Sequence, residues 1–281
     1  MRRAVIELRQ VKDNVLRGLL WFSAFLTIAI LVTIVGYIFY KGYRLISIDF
    51  IFGDYSPTGH GGIWPMIITT IYTIVISLLI ATPVGILAAV YLQEYAKQGR
   101  LVRIIRFATE SLTGIPSIIY GLFGAVFFVT TLKLGMSIIA ASLTLTIIVL
   151  PVIIRTTEES LKTVPKTYRE GSLALGTTKL QTLYKVILPS AMPGILSGII
   201  LSIGRIVGES AAIFLTAGTV AAMPDSIFSS ARTLTVHSFL VTQESGDIEL
   251  AAAVGIVLIV IILVLNLSAT FISKKLNKAD Y

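Results

Sequence analysis

An arginine and a glutamate stand four residues apart in the otherwise apolar stretch GRIVGESAAIFLTAG, residues 204–218. Arg205 and Glu209 are the only charged residues between positions 190 and 224. Residues four apart lie one above the other on a helix, so the spacing predicts that the two side chains share a face. An arginine at the centre of a membrane-spanning helix costs about 2.5–3.5 kcal/mol to insert, which indicates that the pair serves a purpose.

Two interpretations of this pair are open. In the structural one, Glu209 neutralises Arg205 and the pair fixes how its helix packs. In the functional one, Arg205 offers its planar guanidinium to an oxyanion such as phosphate. Glu209 then orients the arginine or accepts a hydrogen bond from a protonated oxygen of phosphate. The second role would favour phosphate over fully deprotonated sulfate, whose oxygens cannot donate. Small residues at four-residue spacing allow close helix packing around the pair and favour the functional interpretation: Gly194, Gly198, Ser202, Gly204, Gly208 and Ala212.

The composition is that of a membrane protein. Of the 281 residues, 55% are hydrophobic and 14% are charged, whereas soluble domains carry about 25% charged residues. There is no cysteine, which excludes thiolate chemistry and cysteine metal sites. His60 and His237 lie in polar segments and are predicted to be solvated loop residues. No paired catalytic set is present, so the chain is predicted not to be an enzyme.

Six apolar segments are long enough to cross a bilayer, which takes about 20 residues. They are residues 19–40, 63–92, 111–132, 134–154, 190–224 and 250–273. Only Lys133 separates the third from the fourth, which predicts a tight hairpin, and Pro116 predicts a kink or break in the third. Most of the 23 basic residues lie at the two termini and between spans two and three or four and five. The positive-inside rule therefore predicts that both termini are cytoplasmic, and the net charge of +8 is a topology signal, not a nucleic-acid site.

The segment between the fourth and fifth spans, residues 155–189, has the pattern of two short amphipathic helices. Pro165 is predicted to open the first, and Gly176 to end it as a residue with left-handed backbone. Thr177 or Thr178 is predicted to cap the second, which ends at Pro189. This pair of helices either lies on its own membrane domain or docks a cytoplasmic partner, and the pattern leaves both interpretations open.

The same segment contains a recognisable motif. Glu170, Gly171 and Ser172, followed by Gly176 and then by the LP dipeptide at 188–189, resemble the EAA motif of ABC importer permeases, EAA-x3-G-x9-I-x-LP. Elsewhere GGIWPMI, VGILAAVYLQEYA, GIPSIIYGLFG, VIIRTTE and RIVGESA resemble the phosphate-specific (Pst) importer, and the last two are closer to its A-type permease. One departure is Ala212, where the family usually has proline, and it predicts a straighter helix beyond the charge pair.

The resemblance implies an all-α, six-helix, type I ABC importer permease in the inner membrane of a prokaryote. It implies a cytoplasmic segment 1–18, a permease domain 19–273 with a coupling loop 155–189, and a tail 274–281. It assigns the substrate path to Arg205, Glu209 and Ser210, with Arg155 as a further contact. The residues of the ATPase-coupling loop are Glu170, Gly171, Ser172, Ala174, Gly176, Leu188 and Pro189.

The implied partners are a C-type permease, two copies of a cytoplasmic ATPase, an external phosphate-binding protein and the surrounding lipid. No P-loop GxxxxGK[ST] is present, so ATP and Mg²⁺ are expected on the ATPase and no cofactor is expected on this chain. Two alternatives stay open: the same architecture carrying molybdate, tungstate or sulfate, and a stand-alone anion channel or carrier.

Overall fold

The computed structural model describes residues 2–56 and 61–278, and side chains over residues 12–56 and 61–271. His60 lies outside the described residues. Across the described part of the chain the secondary structure is helical, without strands, so the predicted all-α fold is confirmed. The helices are α1 Arg2–Gly42, α2 Ile48–Phe52, α3 Trp64–Val90, α4 Arg100–Thr113, α5 Ser117–Gly124, α6 Ile138–Thr163, α7 Lys166–Ala174, α8 Lys179–Thr182, α9 Leu188–Val207, α10 Ala211–Thr216, α11 Leu234–Glu244 and α12 Ile248–Lys278. Wider π-helical turns extend α3 over Tyr91–Tyr95 and α5 over Ala125–Thr131, and join α8 to α9 over Leu183–Ile187.

Five continuous helical segments are long and apolar enough to cross a membrane, and a bent pair makes six if it is one span. The five are Lys12–Leu45, Trp64–Tyr95, Ile138–Thr163, Lys179–Val207 and Ile248–Phe271. The bent pair joins Arg100–Thr113 to Ser117–Thr131 at an angle of 101°. With that pair counted as one span, the number agrees with the six predicted.

The predicted break at Pro116 is confirmed, but it divides the third span more than expected. Proline has no N–H to donate and disfavours helical backbone at the residue before it, so α4 ends at Thr113 and α5 begins at Ser117. The apolar segment predicted to begin at residue 111 is therefore divided between two helices that meet at 101°, with most of it on Ser117–Thr131. α4 carries three arginines and a glutamate and is mostly exposed, which suits a helix at an angle to the bundle.

Three helices form the centre of the bundle. Ser77 of α3 donates to the Ser142 carbonyl of α6, and Thr146 donates back to the Ser77 carbonyl, so α3 and α6 run in parallel. α9 runs antiparallel to α6, where a Cβ on Gly198 would meet the Thr156 hydroxyl at 2.0 Å. The close approach that the small residues of α9 predict is therefore present. The core around this contact includes Ile74, Leu145, Ile148, Val149, Ile203 and Ile206.

The fourth span begins at a turn that the sequence predicted correctly. Lys133 has φ +54° and Gly135 has φ +67°, and this left-handed pair closes the hairpin between α5 and α6. The N–H groups at the start of α6 have partners at the end of α10 and in the chain after it: Ser137 donates to the Thr216 carbonyl and Ile138 to the Ser229 carbonyl. The fifth span lies partly in the predicted segment 190–224, but it ends at Val207, and the backbone from residue 217 onward folds over the start of α6.

Candidate functional site

Arg205 lies in the last turn of α9, near its end at Val207. Its depth follows from the register of α9 against α6, in which Gly194 lies against Ser160 and Gly198 against Thr156. Continuing this antiparallel register places Arg205 level with Val149, which is close to the middle of α6. Arg205 therefore lies well inside the helical bundle, far from both ends of α6.

The prediction that Arg205 and Glu209 share one helix is wrong. α9 ends at Val207, and the chain breaks at Gly208–Ser210 before α10 begins at Ala211. Glu209 is buried, with 9% of its surface exposed, and its Oε1 accepts a hydrogen bond from the Ala212 N–H at 3.2 Å. The carboxylate thus satisfies a free N–H in the first turn of α10, as capping side chains do.

Ala212 takes part in this capping. A straighter helix beyond the charge pair, expected from alanine in place of the family proline, stays a prediction, and the break at Gly208–Ser210 precedes this position. Proline has no backbone N–H, so the hydrogen bond to Glu209 depends on alanine at this position. Ser210, the N-terminal flanking residue of α10, makes no side-chain capping bond, because Glu209 fills that role.

Arg205 has no acidic partner among the side chains that the structure describes. None of the ion pairs found among the described side chains includes it, and its Nε is buried without a hydrogen-bond partner. Tyr120 of α5 lies within electrostatic range of the guanidinium, although its hydroxyl donates to the Leu112 carbonyl at 2.7 Å. The site therefore presents an intramembrane cation with an unused donor, the arrangement that a bound anion would complete.

Arg155 lies on α6, nearer the end of the bundle that carries α4 and α7, and it is exposed. Its Nη1 is 3.5 Å from Glu110 Oε1 and its Nε is 3.2 Å from Glu159 Oε1. Glu110 of α4 thus pairs with a basic residue of α6. Arg155 is roughly 9 Å along α6 from the level of Arg205, at 1.5 Å per residue. The structure places the two arginines on one helical bundle but does not bring them into one site.

Sequence reasoning missed a second ion pair beside Arg155. Arg106 Nε of α4 is 3.3 Å from Glu158 Oε1 of α6, and both pairs line a pocket of about 230 Å³. Charged residues at i,i+4 spacing indicate a charged face on α4 and another on α6. The spacing does not show which residues of α4 pair with which residues of α6, because that depends on the bend at Pro116.

The segment between α6 and α9 agrees with most of its predicted pattern. Pro165 precedes α7, Gly176 has φ +81°, and Thr178 forms a capping box with Gln181 at the start of α8. The predicted end at Pro189 is wrong: the chain stays helical from Lys179 to Val207, with Pro189 in the first turn of α9, where its missing N–H costs little. α8 is therefore the start of the fifth span.

The apolar side chains of this segment are not covered by the chain's own membrane domain. Leu175 is 86% exposed, and four further large apolar side chains are exposed beside it: Tyr168, Leu173, Leu180 and Tyr184. Glu170, Gly171, Ala174 and Gly176 are exposed too, whereas Leu188 and Pro189 are half-buried. The interpretation of a helix pair that lies flat on its own domain is not supported by this exposure.

His237 is not the solvated loop residue that the sequence predicts. It lies on α11, is 2% exposed, and has its Nδ1 3.3 Å from Arg232 Nη1. Burial, and then the neighbouring Arg232 charge, lower the pKa of His237 to about 4. The imidazole is therefore neutral at neutral pH and fixes Arg232 against the Tyr55 ring, 5.2 Å from its centroid. Among the described residues no group of acidic or histidine side chains is arranged to hold a metal ion.

Known proteins resemble this chain over most of its length. Residues 81–278 match the model of the family described as binding-protein-dependent transport system inner membrane component. A probable ABC transporter permease protein, YqgI of Bacillus subtilis, is 36% identical over 96% of this chain and 99% of its own length. A phosphate transport system permease protein, PstA of Mycobacterium leprae, is 31% identical over 92% of this chain and 88% of its own.

Two solved structures share the fold at low sequence identity. The MetNI methionine ABC transporter in an inward-facing conformation matches 76% of this chain and 94% of its own, with a TM-score of 0.58 and 21% identity. A bacterial alginate ABC transporter matches 95% of each chain with a TM-score of 0.65 and 16% identity. The resemblance to phosphate-specific permeases is confirmed, together with the predictions of a multi-pass prokaryotic membrane protein that is not an enzyme. The chain belongs to the family of inner membrane permease components of binding-protein-dependent ABC importers.

Proposed function

We propose that this chain is a permease subunit of an ATP-driven phosphate importer and that Arg205 is its anion contact within the membrane. The observation that carries the proposal is the unpaired guanidinium: its Nε is buried without a partner, and Glu209 is engaged elsewhere. The phosphate named in several relatives, such as PstA of Mycobacterium leprae, supports this choice of substrate.

An unpaired arginine at this depth is better explained by a role in transport than by a role in stabilising the fold. Burying one charge without a partner is costly, and such residues in membrane proteins face the protein interior or a water-filled path. A guanidinium has parallel N–H groups that match two oxygens of a tetrahedral oxyanion. Phosphate bound there would neutralise the charge during passage and leave it free afterwards.

The roles of the remaining path residues follow from their positions. Glu209 holds the break between α9 and α10 through Ala212, so we assign it to positioning Arg205 at the end of α9. Arg155 is paired with Glu110 and Glu159 at an exposed position, and a phosphate that moves from Arg205 toward that end would exchange with these carboxylates. Ser210 lies in the break itself and could add a hydroxyl.

The remaining parts of the transporter belong to other chains. The exposed apolar face around Leu175 suits docking of a cytoplasmic ATPase, with two copies that bind ATP–Mg²⁺ and drive alternating access. A C-type permease would complete the substrate path, and an external binding protein would deliver phosphate. This arrangement places both termini in the cytoplasm.

Purification of the tagged chain from its native membrane, followed by reconstitution into vesicles, tests this function. We expect co-purification of an ATPase and a second multi-pass permease, and uptake of labelled phosphate that needs ATP and the external binding protein. A tenfold excess of sulfate should leave that uptake unchanged. Uptake of sulfate, molybdate or tungstate in place of phosphate would assign another oxyanion, and uptake without ATP would indicate a channel or carrier.

A further inference from the structure

One arginine of α7 reaches back to two of the central helices. Arg169 Nη2 forms an ion pair with Glu94 Oε1, in the π-helical turn Tyr91–Tyr95 at the end of α3. The same Nη2 donates to the Leu161 carbonyl of α6 at 3.1 Å. A single side chain thus connects α7 with the ends of both α3 and α6.

This ion pair is sheltered from water, unlike the pairs of Arg155. The side chains of Arg169 and Glu94 are 24% and 17% exposed, whereas those of Arg155 and Glu159 are 56% and 61% exposed. Exposed pairs hold their geometry weakly because water and salt screen them, and partly buried pairs are screened much less. The Arg169–Glu94 contact is therefore able to transmit displacement of one helix to the other.

α7 is also fixed to α8, so that the two move together. Three hydroxyls form a closed triangle across the turn between them: Ser172 to Thr177 at 2.7 Å, Thr177 to Thr182 at 2.9 Å, and Ser172 to Thr182 at 3.1 Å. The left-handed Gly176 completes this turn. A force applied to the exposed face of the turn would reach Arg169 instead of being absorbed between α7 and α8.

The surroundings of Arg169 leave room for such movement. A pocket of about 230 Å³ lies beside the ion pair, and its lining includes Tyr95, Leu173, Leu183 and Ile187. Two π-helical turns, Tyr91–Tyr95 and Leu183–Ile187, face this pocket. π-helical turns occur frequently at functional sites, and their wider ring is a local departure from α-helical packing that can change without melting the helix.

We propose that the Arg169–Glu94 ion pair is the positioning link that carries movement of the α7–α8 turn to the ends of α3 and α6. Both helices pack against α9, which carries Arg205, so displacement at their ends alters the surroundings of the anion contact. Arg169 and Glu94 are positioning residues that touch no substrate. This inference rests on the proposed function, because it concerns how ATP hydrolysis would be coupled to transport.

The test measures phosphate uptake and ATP hydrolysis in parallel, in the complete reconstituted transporter with its binding protein. Glu94→Gln keeps the shape of the side chain and removes its charge. We expect uptake per ATP hydrolysed to fall at least about fivefold, the lower end of typical coupling between sites, while ATP hydrolysis persists. Arg169→Lys keeps the charge, but its side chain is one atom shorter than the path to Nη2; its ammonium should not reach both Glu94 and the Leu161 carbonyl, and the same ratio should fall. The double variant Glu94→Gln/Arg169→Gln should lower uptake per ATP no further than the more damaging single change, because each change removes the same ion pair.

Two exposed residues serve as matched controls for loss of one charge. Arg103→Gln on α4 and Glu244→Gln at the far end of the molecule should leave the ratio of uptake to ATP hydrolysis unchanged. If the Glu94 and Arg169 variants assemble in normal amounts and keep the wild-type ratio, the link does not exist. If the wild-type complex itself fails to take up phosphate with ATP, the proposed function fails instead. If Glu94→Gln does not assemble, the ratio of phosphate uptake to ATP hydrolysis in Arg169→Lys tests whether the ion pair is the link.

Discussion

The carboxylate of Glu209 accepts a hydrogen bond from the Ala212 N–H at 3.2 Å and forms no ion pair with Arg205. Two residues that share a helical spacing in the sequence therefore have separate tasks. Glu209 lies in the break between α9 and α10 and caps α10. The guanidinium of Arg205 therefore has no counter-charge among the described side chains. An anion that binds Arg205 would not have to displace a carboxylate.

Glu209 should tolerate loss of its charge but not loss of its oxygen. Glu209→Gln keeps an Oε1 that can accept from Ala212, so we expect normal amounts of complex and most of the phosphate uptake. Glu209→Ala removes the cap and should lower the free energy of unfolding by about 0.5–2 kcal/mol. Thermal unfolding of the two purified variants measures the difference. Equal damage from both changes would show that the charge of Glu209 matters after all.

Arg205 should be needed for transport and not for assembly. Hydrogen bonds to charged groups contribute about 1.5–3 kcal/mol, and 1.4 kcal/mol is a factor of ten, so Arg205→Gln should lower phosphate uptake at least about tenfold. Arg205→Lys should transport partially, because it keeps the charge and loses the planar fork.

The control for these changes is Arg44→Gln, which alters an exposed arginine whose guanidinium lies over the Tyr43 ring. It should leave uptake unchanged. The double variant Arg205→Gln/Glu209→Gln should be as inactive as Arg205→Gln alone. Near-normal uptake by the double variant would return the two residues to a purely structural role.

The orientation predicted from basic residues can be tested directly because the sequence has no cysteine. A single cysteine at Lys97 should react with a membrane-impermeant thiol reagent only after the membrane is opened, since the positive-inside rule places it in the cytoplasm. A cysteine at Asp225 should react in intact cells. Both positions are exposed, so burial does not obscure the result. Reaction of both in intact cells would rule out the predicted topology.

His237 makes the stability of the α11 region depend on pH. Its pKa is lowered to about 4 by burial, whereas an unfolded histidine titrates near 6.5. Between these values the unfolded state binds the extra proton, so stability falls as the pH drops from about 6.5 toward 4, by up to about 1.4 kcal/mol per pH unit. Arg232, Tyr55 and the carboxylates of Glu244 and Asp247 share the pocket beside His237. His237→Gln should flatten this slope in thermal unfolding measured from pH 4.5 to 7, and an unchanged slope would show that His237 is not its source.

Local signals in the sequence were enough for the elements that depend on backbone chemistry. Pro116 breaks its span, and Gly176 takes the left-handed conformation that a helix end requires. Each of these follows from the φ range or the hydrogen-bonding capacity of one residue. They could be predicted because no distant contact was needed to decide them.

The end of α9 could not be predicted in this way. The apolar run continues past Val207, and the end of α9 is held by a distant group, because the Thr235 hydroxyl of α11 donates to the Val207 carbonyl. Burial of His237 likewise depends on how α11 packs against α12 and Tyr55. Hydrophobic periodicity does not contain these tertiary contacts, and the separation of Arg205 from Glu209 is one of their consequences.

Gly176 gives the sharpest test of the turn between α7 and α8. It has φ +81° and no atom within 4 Å of an added Cβ, so Gly176→Val introduces backbone strain without a steric clash. A side chain in left-handed backbone costs roughly 1–2 kcal/mol, and a β-branched one resists it most. We expect the turn between α7 and α8 to lose its closed geometry, so that phosphate uptake falls while ATP hydrolysis continues. The measurement is phosphate uptake per ATP hydrolysed in the reconstituted complex.

Gly135→Val is the matched control, because Gly135 has φ +67° and equally open surroundings but lies in the hairpin between α5 and α6. It should lower the thermal stability of the complex by a similar amount and leave uptake per ATP unchanged. Equal effects of the two substitutions on that ratio would mean that strain anywhere in the chain disturbs coupling. Normal coupling in Gly176→Val would mean that the α7–α8 turn does not transmit force, since the strained residue lies between the exposed Leu175 and the hydroxyl triangle that holds α7 to α8.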